Sequence, residues 1–162
     1  MTSDEGFVPG LWSPVFALLR AMDDEIAAVY AGWGLADVRP RFAPAVLELR
    51  AHGPRTIRDL AAAVGVTHSA MSQTVTAMRG AGLVESVPGP DARTRVVRLT
   101  DRGTEVSARV RAEWDATEAA LAALEAEGDH PLTRAAADGA AALERRPCRD
   151  RIAQHLDDQQ PG

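Results

Sequence analysis

The sequence predicts a mainly α-helical fold with one small β-hairpin, and three observations support this prediction. Residues 57–79 have the pattern of two short amphipathic helices separated by a glycine turn. Residues 83–99 continue as two segments rich in β-branched residues on either side of a Pro-Gly-Pro-Asp loop. Residues 12–33 and 100–127 carry apolar side chains at helical spacing. Together these patterns predict a winged helix-turn-helix with additional N- and C-terminal helices.

The first of the two short helices is predicted from its apolar face and from the residues that follow it. Leu60, Ala61 and Val64 share one side of a helix. Gly65 can adopt the positive-φ conformation that ends a helix. Thr67 is a favourable N-cap for the helix that follows. The spacing therefore predicts two helices joined by a tight turn.

The second helix has one apolar face and one polar face. Met71, Val75 and Met78 are spaced for burial against a core. The opposite face presents short polar groups and one cation, namely His68, Ser69, Ser72, Gln73, Thr76 and Arg79. No carboxylate lies among them, and a carboxylate would repel the phosphates of a nucleic acid. The pattern favours a helix suited to the major groove of DNA, and the alternative is an ordinary solvated helical hairpin.

The predicted hairpin has strands at 83–87 and 95–99, with Gly82 as the cap of the preceding helix. Its loop and the start of its second strand hold Asp91, Arg93 and Arg95. The two guanidinium groups are suited to the negative potential of a minor groove. Asp91 is close enough in sequence to orient Arg93 through a carboxylate–guanidinium hydrogen bond. The simpler alternative is a surface turn with a local ion pair.

Six short pieces between Ile57 and Gly103 occur in a characteristic order and spacing. They are Asp59-Leu60-Ala61, Gly65-Val66, Ser69-Ala70-Met71-Ser72, Gly82-Leu83-Val84, Asp91-Ala92-Arg93-Thr94-Arg95 and Leu99-Thr100-Asp101-Arg102-Gly103. In this order they resemble the multiple antibiotic resistance regulator (MarR) family of winged-helix transcription factors.

That resemblance implies a homodimer that binds double-stranded DNA and controls transcription, usually as a repressor that a small ligand releases. It implies base contacts from Ser69, Ser72, Gln73 and Thr76 and a minor-groove contact from Arg93. We expect one domain over residues 1–162, with the winged helix-turn-helix at about 40–103 and dimerisation helices at about 10–35 and 104–157.

The charge distribution is uneven along the chain. The 162 residues carry a net charge of −5. Residues 39–103 nevertheless hold ten Arg and five acidic residues, a local charge of +5, while the remainder carries −10. A cationic segment between acidic flanks is the distribution expected of a protein that presents one part of its surface to nucleic acid.

The flanking helices need a partner for their apolar faces. After the long helix, a further helix is predicted from Leu132 towards Arg146, where Pro147 interrupts it, and residues 157–162 are expected to be frayed. One winged helix cannot bury the first, fifth and last helices as well, so a two-fold homodimer is expected. Packing of these helices within a monomer is the alternative.

Other kinds of site are disfavoured. Cys148 is the single cysteine, which excludes a disulfide framework and fits a reduced cytoplasm, and we expect an inert thiol rather than a redox sensor. The four His are scattered, so neither a metal nor another cofactor is expected. No nucleophile elbow or phosphate loop appears, so no catalytic residue is predicted and an enzyme is not expected. Neither a signal peptide nor a membrane span is expected.

The sequence also suggests a ligand pocket between the first, second and long helices near the hairpin. The residues that suit a small aromatic or apolar ligand are Trp12, Phe16, Trp33, Arg41, His52 and Trp114. These aromatic residues equally suit a core or a dimer interface. Two further functions stay open as alternatives. One is a winged helix used for protein interaction, which an acidic recognition face would favour, and the other is a small helical enzyme.

Overall fold

The computed structural model describes residues 9–89 and 94–159, and its element order confirms the predicted fold class. Within this part, helices precede and follow one antiparallel hairpin, as the sequence predicts. The elements are α1 Ser13–Gly32, a 3-10 turn Pro40–Phe42, α2 Ala43–His52, α3 Ile57–Val64, α4 His68–Gly80, β1 Val84–Pro88, β2 Arg95–Leu99, α5 Asp101–Glu127, α6 Leu132–Arg145 and α7 Cys148–Gln159. The described chain divides into two compact units at Asp115, inside α5.

The end of α3 and the start of α4 lie at the residues that the sequence predicts. The hydroxyl of Thr67 accepts a hydrogen bond from the backbone N–H of Ala70 at 3.2 Å, so Thr67 caps α4. Gly65 ends α3 in the left-handed conformation with φ of 77°. Thr56 caps α3 in the same way by accepting from the N–H of Asp59 at 3.1 Å. These caps fix the turn between the two helices.

The hairpin pairs Val84 with Leu99 and Pro88 with Arg95 at its two ends. Its first strand begins one residue later than predicted, because Leu83 belongs to the turn after α4 and is fully buried. Arg55 forms an isolated antiparallel bridge to Val97 in the middle of β2, since its backbone N–H and C=O bond to Val97 at 3.0 and 2.7 Å. The hairpin is therefore anchored to the segment that connects α2 and α3.

The core of the first unit joins all its helices to the hairpin. It is a single apolar cluster whose largest fully buried members are Tyr30, Phe42, Leu60, Met71, Met78 and Leu83. The predicted inner faces of α3 and α4 lie in it, with Leu60, Ala61, Met71, Val75 and Met78 all buried. Burial of α4 along one side leaves its other side for solvent.

One buried hydrogen bond connects the end of α1 to α5. The Tyr30 hydroxyl donates to Glu113 Oε2 at 2.6 Å, and both residues are buried. Burial, together with the neighbouring Glu113 carboxylate, raises the pKa of the Tyr30 hydroxyl well above its ordinary value. A second contact of this kind runs from Arg50 of α2 to the buried Ser107 Oγ of α5 at 2.7 Å. Helix α5 is thus fixed by directional polar contacts as well as by apolar packing.

The start of α5 lies directly against the turn that follows α4. Thr100 accepts from the N–H of Gly103 at 3.0 Å and so caps the helix. Gly103 is buried beside the carbonyl of Leu83, and a Cβ atom at this position would lie 2.0 Å from that oxygen. Only a glycine permits this approach.

The second unit contains the rest of α5 together with α6 and α7. The Glu125 carboxylate accepts from the backbone N–H of Thr133 at 3.0 Å and from its hydroxyl, which lowers the pKa of Glu125. Neither α6 nor α7 contains a buried residue. Helix α7 continues to Gln159, so the prediction of fraying from Asp157 onwards was wrong for residues 157–159. None of the described helices is both long enough and apolar enough to span a lipid bilayer.

We expect Gly103→Ala to lower the free energy of unfolding by about 1–3 kcal/mol, because the new methyl group would push α5 away from Leu83. Gly80→Ala is the matched control, since a Cβ at Gly80 meets nothing within 4 Å and gains up to about 1 kcal/mol of helix propensity. Urea denaturation of both variants measures the difference. Equal midpoints would contradict the close approach of α5 to the turn.

We expect Tyr30, the single tyrosine of the chain, to resist ionisation while the protein is folded. Its folded pKa is raised, so the folded state retains a proton that the unfolded state loses above about pH 10. Stability is therefore lost as the pH rises above that value. In the folded protein, the absorbance of the Tyr30 phenolate should appear only when the protein unfolds at high pH. In denaturant, the same absorbance should titrate near pH 10. A phenolate signal at ordinary pKa in the folded protein would contradict the buried Tyr30–Glu113 pair.

Candidate functional site

Helix α4 presents the predicted polar residues on one open surface. Five of them are exposed and Ser72 is half-buried, and together they form the set His68, Ser69, Ser72, Gln73, Thr76 and Arg79. The apolar side of the same helix is buried, with Met71 and Val75 each 2% exposed and Met78 fully buried. The structure therefore brings all six predicted residues together on the outer side of α4, and we call this set the α4 face.

The polar groups of the α4 face differ in what they can still bind. The Thr76 hydroxyl donates to the backbone carbonyl of Ser72 at 2.9 Å, so it remains available as an acceptor. Gln73 is exposed and carries both a donor and an acceptor. His68 is the first residue of α4, where backbone N–H groups have no partner within the helix. The face thus combines donors and acceptors with one cation, Arg79.

The hairpin contributes one predicted residue to the described structure. Arg95 is exposed, and its Nη2 donates to the carbonyl of Ser86 across the hairpin at 2.7 Å. Arg98 pairs with its cross-strand neighbour Glu85 at 2.8 Å. Asp91 and Arg93, which the sequence places in the loop, lie outside the described residues.

The six residues predicted for a ligand pocket lie in different surroundings. Trp12 and Phe16 are both 63% exposed at the start of α1, whereas Trp114 is partly buried against the core. Arg41 lies over the ring of Phe42, 5.8 Å from its centroid. His52 Nδ1 lies 3.1 Å from Glu48, which also pairs with Arg55.

Trp33 is the member of this set that lines a groove of about 440 Å³, together with Gly32, Arg109 and Ala112. Its ring packs edge-on against Tyr30 with the ring centroids 6.1 Å apart, and Arg109 donates to the Trp33 carbonyl at 3.2 Å. Sequence reasoning did not single out Arg109, because nothing in the chain order shows that this arginine of α5 meets the end of α1.

A second open cavity of about 280 Å³ lies between α2, β2 and the start of α5. Arg50 and Arg98 are both among its lining residues. Neither arginine has a role that could be predicted from the sequence. Within the described residues, no group of three or more His, Cys, Asp or Glu side chains is arranged to bind a metal ion.

Comparison with protein families gives one match, which covers the helix-turn-helix and the first strand. Residues 37–93 match the model of the MarR family. No match was found among curated protein sequences.

Comparison with solved structures extends the likeness over most of the chain. A MarR family transcriptional regulator from Silicibacter pomeroyi DSS-3 is 24% identical, with 88% of this chain and 98% of that chain covered at a TM-score of 0.55. MepR from S. aureus, solved as a DNA complex, is 16% identical over 85% and 98% of the two chains at a TM-score of 0.62. The repressor CouR, bound to a 23-mer DNA duplex, is 20% identical over 84% and 90% at a TM-score of 0.55.

At these identities the solved structures show that the fold is shared. The family match falls on the segment that carries α3, α4 and β1, and the shared fold extends to the flanking helices. Residues 37–93 of this chain are therefore similar to the MarR family, and the structures solved for such regulators share its fold.

Proposed function

We propose that this protein is a sequence-specific DNA-binding transcriptional regulator. In this proposal it acts as a homodimer on a pseudo-palindromic operator, represses transcription and is released by a small ligand. The observation that carries the proposal is the α4 face, which is exposed, polar and free of carboxylates on a helix whose other side is buried. The DNA complexes of MepR and CouR, which share the fold, support the same function.

The α4 face has the chemistry needed to read bases in a major groove. Gln73 offers a donor and an acceptor side by side, the arrangement that pairs with the edge of adenine. The hydroxyls of Ser69, Ser72 and Thr76 bond to donors or acceptors on base edges or phosphates. We assign His68 and Arg79, at the two ends of the helix, to the phosphate backbone.

The hairpin supplies the second contact in this proposal. Arg95 is exposed next to the loop, and its bond to Ser86 leaves other guanidinium N–H groups available. We assign Arg95 and the loop residue Arg93 to the adjacent minor groove, with Asp91 orienting Arg93. The charge of +5 over residues 39–103 favours approach of this part of the chain to phosphates.

Exposed apolar side chains support the homodimer. Helix α1 and the residues before it expose Leu11 to 91%, Trp12 and Phe16 to 63% and Leu19 to 53%. In the second unit, Leu132, Leu143, Ile152 and Leu156 are each about half exposed. Clusters of exposed apolar side chains are often sites of protein–protein contact. A second copy of this chain is the simplest partner that could bury these side chains. The resulting dimer would present two α4 helices to successive turns of DNA.

The groove at Trp33 supports a ligand of limited size. Trp33 and Arg109 are among the residues that line it, and residues of these types suit a small aromatic or apolar molecule. Control of transcription requires access to DNA, so the proposal places the protein in the cytoplasm.

Selection of DNA fragments from a random duplex library tests the function directly. We expect enrichment of one motif with two related half-sites about one helical turn apart. Binding should weaken steeply with added salt, because Arg contacts to phosphates release counterions. A winged helix used only for protein interaction would enrich no sequence, and that result would contradict the proposal.

We expect Gln73→Ala to relax base preference at one or two positions of each half-site, with a loss of about 1–3 kcal/mol on the preferred sequence. Gln159→Ala, at the end of α7, is the matched control and should bind like the wild type. The measurement is competition binding against single-base variants of the selected motif. An equal loss on every sequence would assign Gln73 to phosphate instead.

We expect the intact protein to sediment as a dimer of the 17.2 kDa chain at low micromolar concentration. Phe16→Glu should shift it towards the monomer, since a buried carboxylate at this position would have no partner. Ala28→Glu places the same group at another exposed position of α1 and serves as control. A wild-type monomer that binds the two half-sites tightly would contradict the dimer.

A further inference from the structure

Arg102 connects three parts of the first unit around the end of α4. Its Nη1 donates to the backbone carbonyl of Ala81, the residue immediately after α4. Its Nη2 pairs with the carboxylate of Asp37, at 2.9 Å from Oδ1 and 2.8 Å from Oδ2. Asp37 lies between α1 and the 3-10 turn, and Arg102 is the second residue of α5. One guanidinium therefore joins the end of α4 to the start of α5 and to the segment after α1.

The neighbouring carbonyls of the turn after α4 are bound in the same way. The Thr100 hydroxyl donates to the carbonyl of Gly82 at 2.7 Å. The Thr100 backbone N–H donates to the carbonyl of Leu83 at 3.0 Å. Three successive carbonyls, of Ala81, Gly82 and Leu83, thus accept from Thr100 and Arg102. We call this arrangement the α4–α5 clamp.

The chemistry of the clamp requires an arginine at this position. A guanidinium is planar and presents several N–H groups at once, so it can bind a carbonyl and a carboxylate together. A lysine at residue 102 would keep the charge but would present one compact ammonium group. Arg102 lies in the Leu99–Gly103 segment. The DNA contacts proposed for the α4 face and for the hairpin loop do not explain an arginine at this position.

We propose that Arg102 is a positioning residue for DNA recognition: anchored by Asp37, it fixes the direction in which α4 leaves the body of the protein. The inference rests on the proposed function of the α4 face. The core holds the inner side of α4, and the clamp holds its C-terminal end, so loss of Arg102 leaves α4 attached but free to vary in direction. In a dimer, such variation changes the separation of the two α4 helices and hence the preferred spacing of half-sites.

The test is binding to a series of duplexes in which the spacing of the two selected half-sites varies by single base pairs. We expect the wild type to prefer one spacing. Arg102→Ala should weaken binding at that spacing by about tenfold, equivalent to about 1.4 kcal/mol, and should bind neighbouring spacings almost equally. Arg102→Lys should give an intermediate result. Arg111→Ala is the control, because the Arg111–Asp115 pair is also exposed to solvent but stays within α5.

Asp37→Asn separates positioning from a direct phosphate contact. If Arg102 positions α4, this variant should broaden the spacing preference and weaken binding, although it removes a negative charge. If Arg102 instead bound phosphate directly, Asp37→Asn would leave affinity unchanged or raise it, which would overturn the inference. Thermal unfolding identifies any variant that fails to fold, and in that case Asp37→Asn and Arg102→Lys provide the decisive comparison.

Two failures are distinguishable in this design. If the wild type selects a motif and Arg102→Ala keeps its affinity and spacing preference, the positioning role is overturned and the proposed function stands. If the wild type itself selects no DNA motif, the proposed function fails and the inference fails with it.

Discussion

Burial of one side of α4 is the constraint on which the rest of the structure depends. Met71, Val75 and Met78 are inserted in the core that also contains Leu60 of α3, so the helix cannot rotate about its axis without exposing them. The rotation of α4 in turn determines which side chains face outwards. The chemistry of the α4 face is therefore a consequence of apolar packing beneath it.

Polar contacts fix the placement of α5 more precisely than apolar packing alone would. Apolar faces tolerate small sliding movements, whereas Tyr30–Glu113 and Arg50–Ser107 each join a specific pair of atoms on α5 and a neighbouring helix. Both contacts are at least partly buried, where an unpaired group would be costly. These contacts hold α5 in place against α1 and α2. The α4–α5 clamp in turn connects the start of α5 to the end of α4.

The sequence predicted the local features of the fold well because these depend on neighbouring residues. Thr67 caps α4 and Gly65 ends α3 as expected, and the inner and outer faces of α4 follow from spacing alone. Contacts between distant residues could not be predicted in this way. Arg102 and Asp37 are 65 residues apart, and each looks like an ordinary solvated charge in the sequence. Leu83 left the predicted strand because a buried turn overrode its β propensity.

If α4 reads DNA as proposed, its length makes the attachment of its C-terminal end important for the register of the helix on the bases. With 13 residues and a rise of 1.5 Å per residue, the helix is about 20 Å long. A tilt of roughly 10° about the clamped end would displace His68, at the far end, by about 3.4 Å, which is the rise of one base pair. In the proposed complex, a small change of angle at Ala81 would therefore place His68 beside a different base pair.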